Sequence, residues 1–246
     1  MYRSDVWLRI IGNFVFILIQ TSIWKAILGD RVVEGVQLNE MITYSILNTV
    51  ISILLMDNIL RVIDTKLKTG NIVSDLTKPI KLPVVLFFQE LGNVMFQIVF
   101  VLIPTITISL LLYDMSLPNN SITIFYTLLS LFFTLMISFL IGYIISLIAF
   151  WFLTTFALEW MIGALIVTFS GSFLPLWFFP ENWRVVAEIL PFQFLNFVPS
   201  AIYLEKITGT GIIKVLAGGM LWILILGGLA KFLWYKATRR LIVQGG

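Results

Sequence analysis

The chain has 246 residues, 59% of them hydrophobic and only 12% charged, with a formal net charge of +3. That balance, with a mean hydropathy of +1.01, excludes an ordinary soluble domain and predicts an all-α polytopic membrane protein. Cysteine and histidine are both absent, which excludes disulfides, thiol catalysis, histidine metal sites and any histidine-based acid–base pair.

Residues 1–9 carry Arg3 and Arg9 and lead into an apolar run at 10–28. No small-residue cleavage site follows, so this run reads as a retained first span rather than a signal peptide. The second span is predicted at 41–63. Ser45, Asn48 and Ser52 share one of its faces, and Asp57 and Arg61, spaced i, i+4, can pair near its end. A polar linker at 64–83 follows. Within it Gly70-Asn71 breaks the chain, and Ile72 to Lys78 form about two helical turns that Pro79 stops. Ile72, Val73 and Leu76 fall on one face of that short helix, with Ser74, Asp75 and Lys78 in more polar surroundings. Such a helix either lies on the lipid surface or plugs into a partner's groove.

The third span is predicted at 84–112, kinked at Pro104. Gln89, Asn93 and Gln97 recur every four residues along it, with Glu90 beside the inner end of that stripe, near a hydrated entrance. A turn-rich loop from Tyr113 to Ser121 contains a weak glycosylation pattern, Asn119-Asn120-Ser121. From Ile122 to Phe173 the only charge is Glu159. One tilted helix uses about 17–25 residues, so this run is two spans, 122–149 and 155–173, with a tight turn near Phe150 to Thr155. The segment 174–211 breaks the pattern. Pro175, Pro180, Pro191 and Pro199, with Glu181, Arg184 and Glu188, argue against a further full span. Two short helices dipping into the outer leaflet fit it, with Trp177 and Trp183 in the interfacial belt. The last span is predicted at 212–235, where Gly218-Gly219 and Gly227-Gly228 permit close helix approach.

Six spans put both termini and the central linker on one side. Arg3, Arg9, Arg61, Lys66, Lys68, Lys78, Lys81, Lys231, Lys236, Arg239 and Arg240 all fall there, eleven of the sixteen basic residues. The positive-inside rule makes that side cytoplasmic, which predicts a multi-pass plasma-membrane protein with cytoplasmic termini.

Little in the chain points to catalysis. Ser170-Gly171-Ser172 superficially resembles a nucleophile setting, but no histidine exists to serve as its base. No glycine-rich phosphate loop ends in Gly-Lys-Ser/Thr, so any ATP-driven work needs a separate engine. The intramembrane polar residues Ser45, Asn48, Ser52, Gln89, Glu90, Asn93 and Gln97 admit two readings. They bond packed helices together, or they line a translocation path.

Several short stretches resemble the permeases of type-2 ABC exporters, in particular the multidrug and viologen-type branch. They are Ile23-Trp24-Lys25-Ala26, Glu40 to Tyr44, Thr69 to Ile72, Leu76-Thr77-Lys78-Pro79-Ile80, Gly171 to Pro180, Leu190-Pro191-Phe192 and Pro199. The resemblance implies a six-span half-transporter that pairs with an identical or sister permease and with two ATP-binding cassette subunits. ATP and magnesium would sit on those subunits, with no cofactor on this chain and no nucleic-acid partner. It further implies that Ile72, Val73, Asp75, Leu76 and Lys78 form the coupling helix, and that the segment with Pro175, Pro180, Pro191 and Pro199 gates the outer exit. The expected function is export of an amphipathic or hydrophobic substrate. The alternatives are an ion-coupled secondary transporter using Glu90 and Glu159, or a non-transporting immunity or scaffold protein.

Overall fold

The computed structural model describes residues 3–29, 31–33, 35–56, 58–72, 74, 80–118, 120–148, 151 and 156–244. They are helical almost throughout. Helix α1 spans Arg3–Leu28, α2 Leu38–Leu54, α3 Ile59–Lys68 and α4 Leu82–Gln97. A π-helical turn, Ile98–Leu102, joins α4 to α5, Ile103–Leu112. Then come α6, Ser121–Ile148, and α7, Phe156–Phe169, followed by the short helices α8, Glu181–Ile189, and α9, Phe197–Tyr203. Helix α10, Thr210–Gln244, closes the chain.

Among the described residues, five helices are long and apolar enough to cross a membrane: Ser4–Leu28, Leu38–Lys66, Leu82–Leu112, Ser121–Ile148 and Thr210–Arg239. These correspond to the first, second, third, fourth and last predicted spans. Among the described residues the expected fifth span is shorter. Helix α7 has 14 residues, about 21 Å of rise, against a hydrocarbon core of roughly 30 Å. It stops at Ser170 because Gly171 turns the chain with φ +77°, a left-handed conformation that ends helices. The turn expected near Phe150 to Thr155 lies, apart from Trp151, outside the described residues. So do Asp57, Asn119 and the linker residues Val73, Asp75, Leu76 and Lys78.

The hydroxyls along these helices face no shortage of acceptors. Ser45, Thr49, Thr105, Ser109, Thr127 and Ser146 each donate to the carbonyl four residues back, at 2.7–2.9 Å. An apolar helix can therefore carry them without an unsatisfied donor. Pro104 does not simply kink its helix. The π-turn sits immediately before it, closed by the Ile103 N–H donating to Ile98 O. The widened turn makes room for the ring and absorbs the missing N–H.

The segment 174–211 forms four short helical pieces rather than two. Two are 3₁₀ turns, Leu176–Phe178 and Pro191–Phe194, and the others are α8 and α9. Its prolines start these pieces. Pro175 and Pro180 are N-caps, Pro191 opens the second 3₁₀ turn and Pro199 sits in the first turn of α9, all positions where a missing N–H costs nothing. Trp177 is half-buried against Tyr44 and Phe197, while Trp183 is exposed.

Two apolar cores hold the bundle. One, at the end opposite the linker, gathers Trp24, Leu28, Met41, Tyr44, Ile137, Phe169, Leu176 and most of 192–202. The other, at the linker end, gathers Met56, Ile59, Ile63, Leu82, Leu86, Phe139, Tyr143, Leu147, Ala230 and Ala237. Helix α6 passes through both and packs along α10, α9 and α3. Ile72 is buried in the linker-end core, so of the expected coupling residues it faces the chain's own bundle.

Candidate functional site: a hydrogen-bonded joint beside a polar cavity

Helix α2 carries the site. Its polar face meets the chain where α7 stops. The Tyr44 hydroxyl donates to Gly171 O at 2.6 Å, and Asn48 Nδ2 reaches the same carbonyl at 3.4 Å. The Ser200 hydroxyl donates to Asn48 Oδ1 at 3.3 Å. Asn196 Nδ2 donates to Asn48 O at 3.3 Å and to Ser52 Oγ at 3.1 Å. Across the joint, the Phe197 N–H donates to Ser170 O at 2.8 Å, and the Thr134 hydroxyl of α6 to Phe194 O at 2.7 Å. Asn48, Asn196, Ser200 and Thr134 are all buried.

A buried amide that lost these partners would cost about 1–3 kcal/mol. The network therefore locks the register of α2 against α6, the end of α7 and α9. It also accounts for Ser170 and Ser172. The Ser170 hydroxyl accepts from the Ser172 N–H at 3.2 Å, closing a turn. Asn48 lies eight residues beyond Glu40, about 12 Å along the helix. Glu40 marks the rim. It accepts from the Gln37 N–H and pairs with Lys206 at 2.9 Å.

Beside the joint lies a cavity of about 320 Å³. Asn48, Thr49 and Ser52 of α2 form one wall, with Ser172 from the turn after α7. Gln97 and Val101 border it from α4 and the π-turn. Arg9, Asn13 and Phe16 of α1 complete the lining, and among the described lining residues Arg9 is the only cation. Amides, hydroxyls and one guanidinium offer hydrogen bonds of both senses, with Phe16, Ile53 and Leu55 as apolar surface. Among the described residues no three of His, Cys, Asp and Glu gather as a metal site.

Of the residues predicted to line a path or an interface, Asn48, Ser52 and Gln97 come together here. Ser45 is buried and bonds only within α2, to Met41 O. The stripe on α4 separates. Gln97 is buried while Gln89 and Asn93 are exposed. Positions four apart advance about 40° around a helix, so eight residues carry the stripe off one face. Glu90, expected near a hydrated entrance, is 3% exposed and accepts from Asn93 Nδ2 at 3.2 Å. Glu159 lines a separate cavity of about 260 Å³ with Arg61, Ser138 and Gly142.

Sequence reasoning missed Arg9, Asn13, Thr49, Asn196 and Ser200. Arg9 and Asn13, and Asn196 and Ser200, are each spaced i, i+4. Thr49 sits between Asn48 and Ser52. A search for polar pairs at helical spacing finds all three, although nothing in the spacing says which helices meet.

A family model for ABC-2 family transporter proteins matches residues 10–245. Neither a curated protein nor a solved structure matches the chain.

Proposed function

The chain belongs to the ABC-2 transporter family, and from that premise we propose that it is the permease subunit of an ATP-driven exporter moving an amphipathic or hydrophobic substrate out of the cytoplasm. The observation that carries the reading is the polar cavity between α1, α2 and the π-turn, set in an otherwise apolar bundle. A cargo with one polar end finds hydrogen-bond partners there and apolar wall beside them.

In this reading α7 and the chain after it complete a fifth of six crossings, and the linker end faces the cytoplasm. Two ATP-binding cassette subunits dock on the coupling segment 64–83. Ile72 is buried against the bundle, and the segment that holds Val73, Asp75, Leu76 and Lys78 makes the coupling contact with the subunits. Closure of the nucleotide-bound subunits tilts the helices as rigid bodies. The turns begun by Pro175, Pro180, Pro191 and Pro199 move as the outer gate. ATP and magnesium are held by the partners, and the plasma membrane is the setting.

A second permease, identical or sister, covers α7. Trp160, Ala164 and Val167 form an exposed stripe on that helix at i, i+4 and i+7. Ala164 at its centre permits close approach.

The test is co-expression with an ATP-binding cassette subunit from the same source, followed by reconstitution. The expected result is capture of that protein and ATP-dependent flux of an amphiphile, with Gln97→Leu lowering flux at least tenfold while capture persists. No capture and no flux would overturn the proposal. The chain contains no cysteine, so Ala164→Cys introduces a single thiol. Oxidation should then give a cross-linked permease pair, whereas Lys25→Cys should not.

A further inference from the structure

At the end of the bundle opposite the linker, α10 and the segment 177–207 border a cavity of about 620 Å³. It is distinct from the polar cavity beside Asn48 and shares no residue with it. Its chemistry is graded. Arg184, Glu188, Lys206 and Lys214 supply the charged groups. The wall beneath is apolar, built from Phe194, Val215, Leu221 and the ring of Trp222.

The charges nearly cancel. Arg184 Nε is bonded to Glu188 Oε1 at 2.8 Å, and Lys206 Nζ to the Glu40 carboxylate at 2.9 Å. Lys214 is the exception. It is exposed, and no acidic group among the described residues pairs with it. The cavity thus has one uncompensated positive charge at its mouth.

The dimensions fit one kind of ligand. Lys214 lies four residues into α10, and Trp222 eight residues further, about 12 Å along the helix. That is most of the roughly 15 Å of hydrocarbon in one leaflet. Trp222 Nε1 donates to Ile189 O at 2.9 Å and ties α10 to α8. Leu221 and Ile189, both lining residues, are exposed, so the slot opens sideways toward lipid rather than only toward water. Gly218 keeps it open. A Cβ there would meet only Phe194, at 3.6 Å.

We infer that this cavity binds one anionic phospholipid from the adjoining leaflet, its phosphate on Lys214 and an acyl chain in the slot beside Gly218 and Trp222. A singly charged phosphodiester matches the single free cation, and an acyl chain matches the apolar slot. A zwitterionic lipid fills the slot equally well but brings a second charge that the rim does not need. The inference rests on the chain being a multi-pass membrane protein, and it holds whether or not this subunit exports anything.

The test is native mass spectrometry of the delipidated full chain with phosphatidylglycerol or phosphatidylcholine of matched acyl chains. No ATPase or flux is involved, so its failure is separable from failure of the transporter reading. The wild-type chain should retain one phosphatidylglycerol in preference to phosphatidylcholine. Lys214→Ala should cut that preference about fivefold, the scale of one lysine–lipid attraction near a membrane surface. Gly218→Leu, which fills the slot and leaves Lys214 in place, should abolish retention of the tight copy. Equal retention of both lipids by the wild type would overturn the inference. So would an unchanged preference in Lys214→Ala, or retention in Gly218→Leu. Inorganic phosphate displacing the lipid at equal concentration would make the ligand a soluble anion, and would overturn the acyl-chain half of the proposal.

Discussion

The two cores of this bundle are built on different principles. The one opposite the linker is cross-stitched by hydrogen bonds between α2, α6, the end of α7 and α9. The linker-end core is packed with Ile59, Ile63, Leu86, Phe139 and Leu147. There the buried Tyr143 hydroxyl has no hydrogen-bond partner among the described residues. Directional bonds fix register, whereas apolar contacts tolerate small slides at little cost. One end of the molecule is thus keyed and the other is greased. In the exporter proposed above, force taken at the greased end is delivered as a tilt about the keyed one.

Gly171 is where the contrast breaks most sharply. A Cβ at this position would sit 2.8 Å from Phe197 Cβ and 2.9 Å from Tyr44 Oη, on a backbone with φ +77°. Gly171→Ala should cost about 1–2 kcal/mol for the left-handed backbone and about 1–3 kcal/mol for overpacking. The expected outcome is loss of the monodisperse peak on size-exclusion chromatography. Gly142→Ala near the linker end, whose closest neighbours would be at 3.3–3.4 Å, should keep that peak.

Asn48→Leu comes next. It removes the side-chain amide that joins Gly171 O to the Ser200 hydroxyl, leaving the Asn196 bond to the Asn48 backbone carbonyl, and should destabilise the chain by about 1–3 kcal/mol, read as a lowered melting midpoint in detergent. The smallest effects sharpen the comparison best. Tyr44→Phe removes a 2.6 Å bond and should cost about 1 kcal/mol. Tyr143→Phe removes a hydroxyl without a partner and should be neutral or slightly stabilising. If both tyrosine variants melt alike, the distinction between the two cores fails.

Much of this was legible in the sequence. The described residues of the apolar runs at 10–28, 84–112 and 122–149 fall within helices, because apolar residues dominate each run and at most one charge, Lys25 or Glu90, interrupts it. The shortness of α7 was not legible. No charge or proline follows Phe169 until Pro175, and only the left-handed glycine between two serines marks the stop. The same three residues resemble a nucleophile setting only superficially, since the chain has no histidine, and their bonds to Phe197 and to each other give them a structural role. The polar face of α2 was visible from its spacing, but its partners Asn196 and Ser200 lie nearly 150 positions away. Tertiary packing alone decides which carbonyl an amide finds. The divided stripe on α4 shows the opposite hazard, since a four-residue period drifts around a helix instead of following one side.

The π-turn at Ile98–Leu102 has one more consequence. It inserts about one extra residue per turn without a break in the backbone, which advances the helical wheel by roughly 100°. Everything from Leu82 to Gln97 is therefore out of phase with everything from Ile103 onward. Deleting a single residue here would convert the wide turn to a regular one and swing Gln97 away from α2 while α5 stayed put. A one-codon deletion, which barely alters composition or hydropathy, would thus re-aim one side of the cavity.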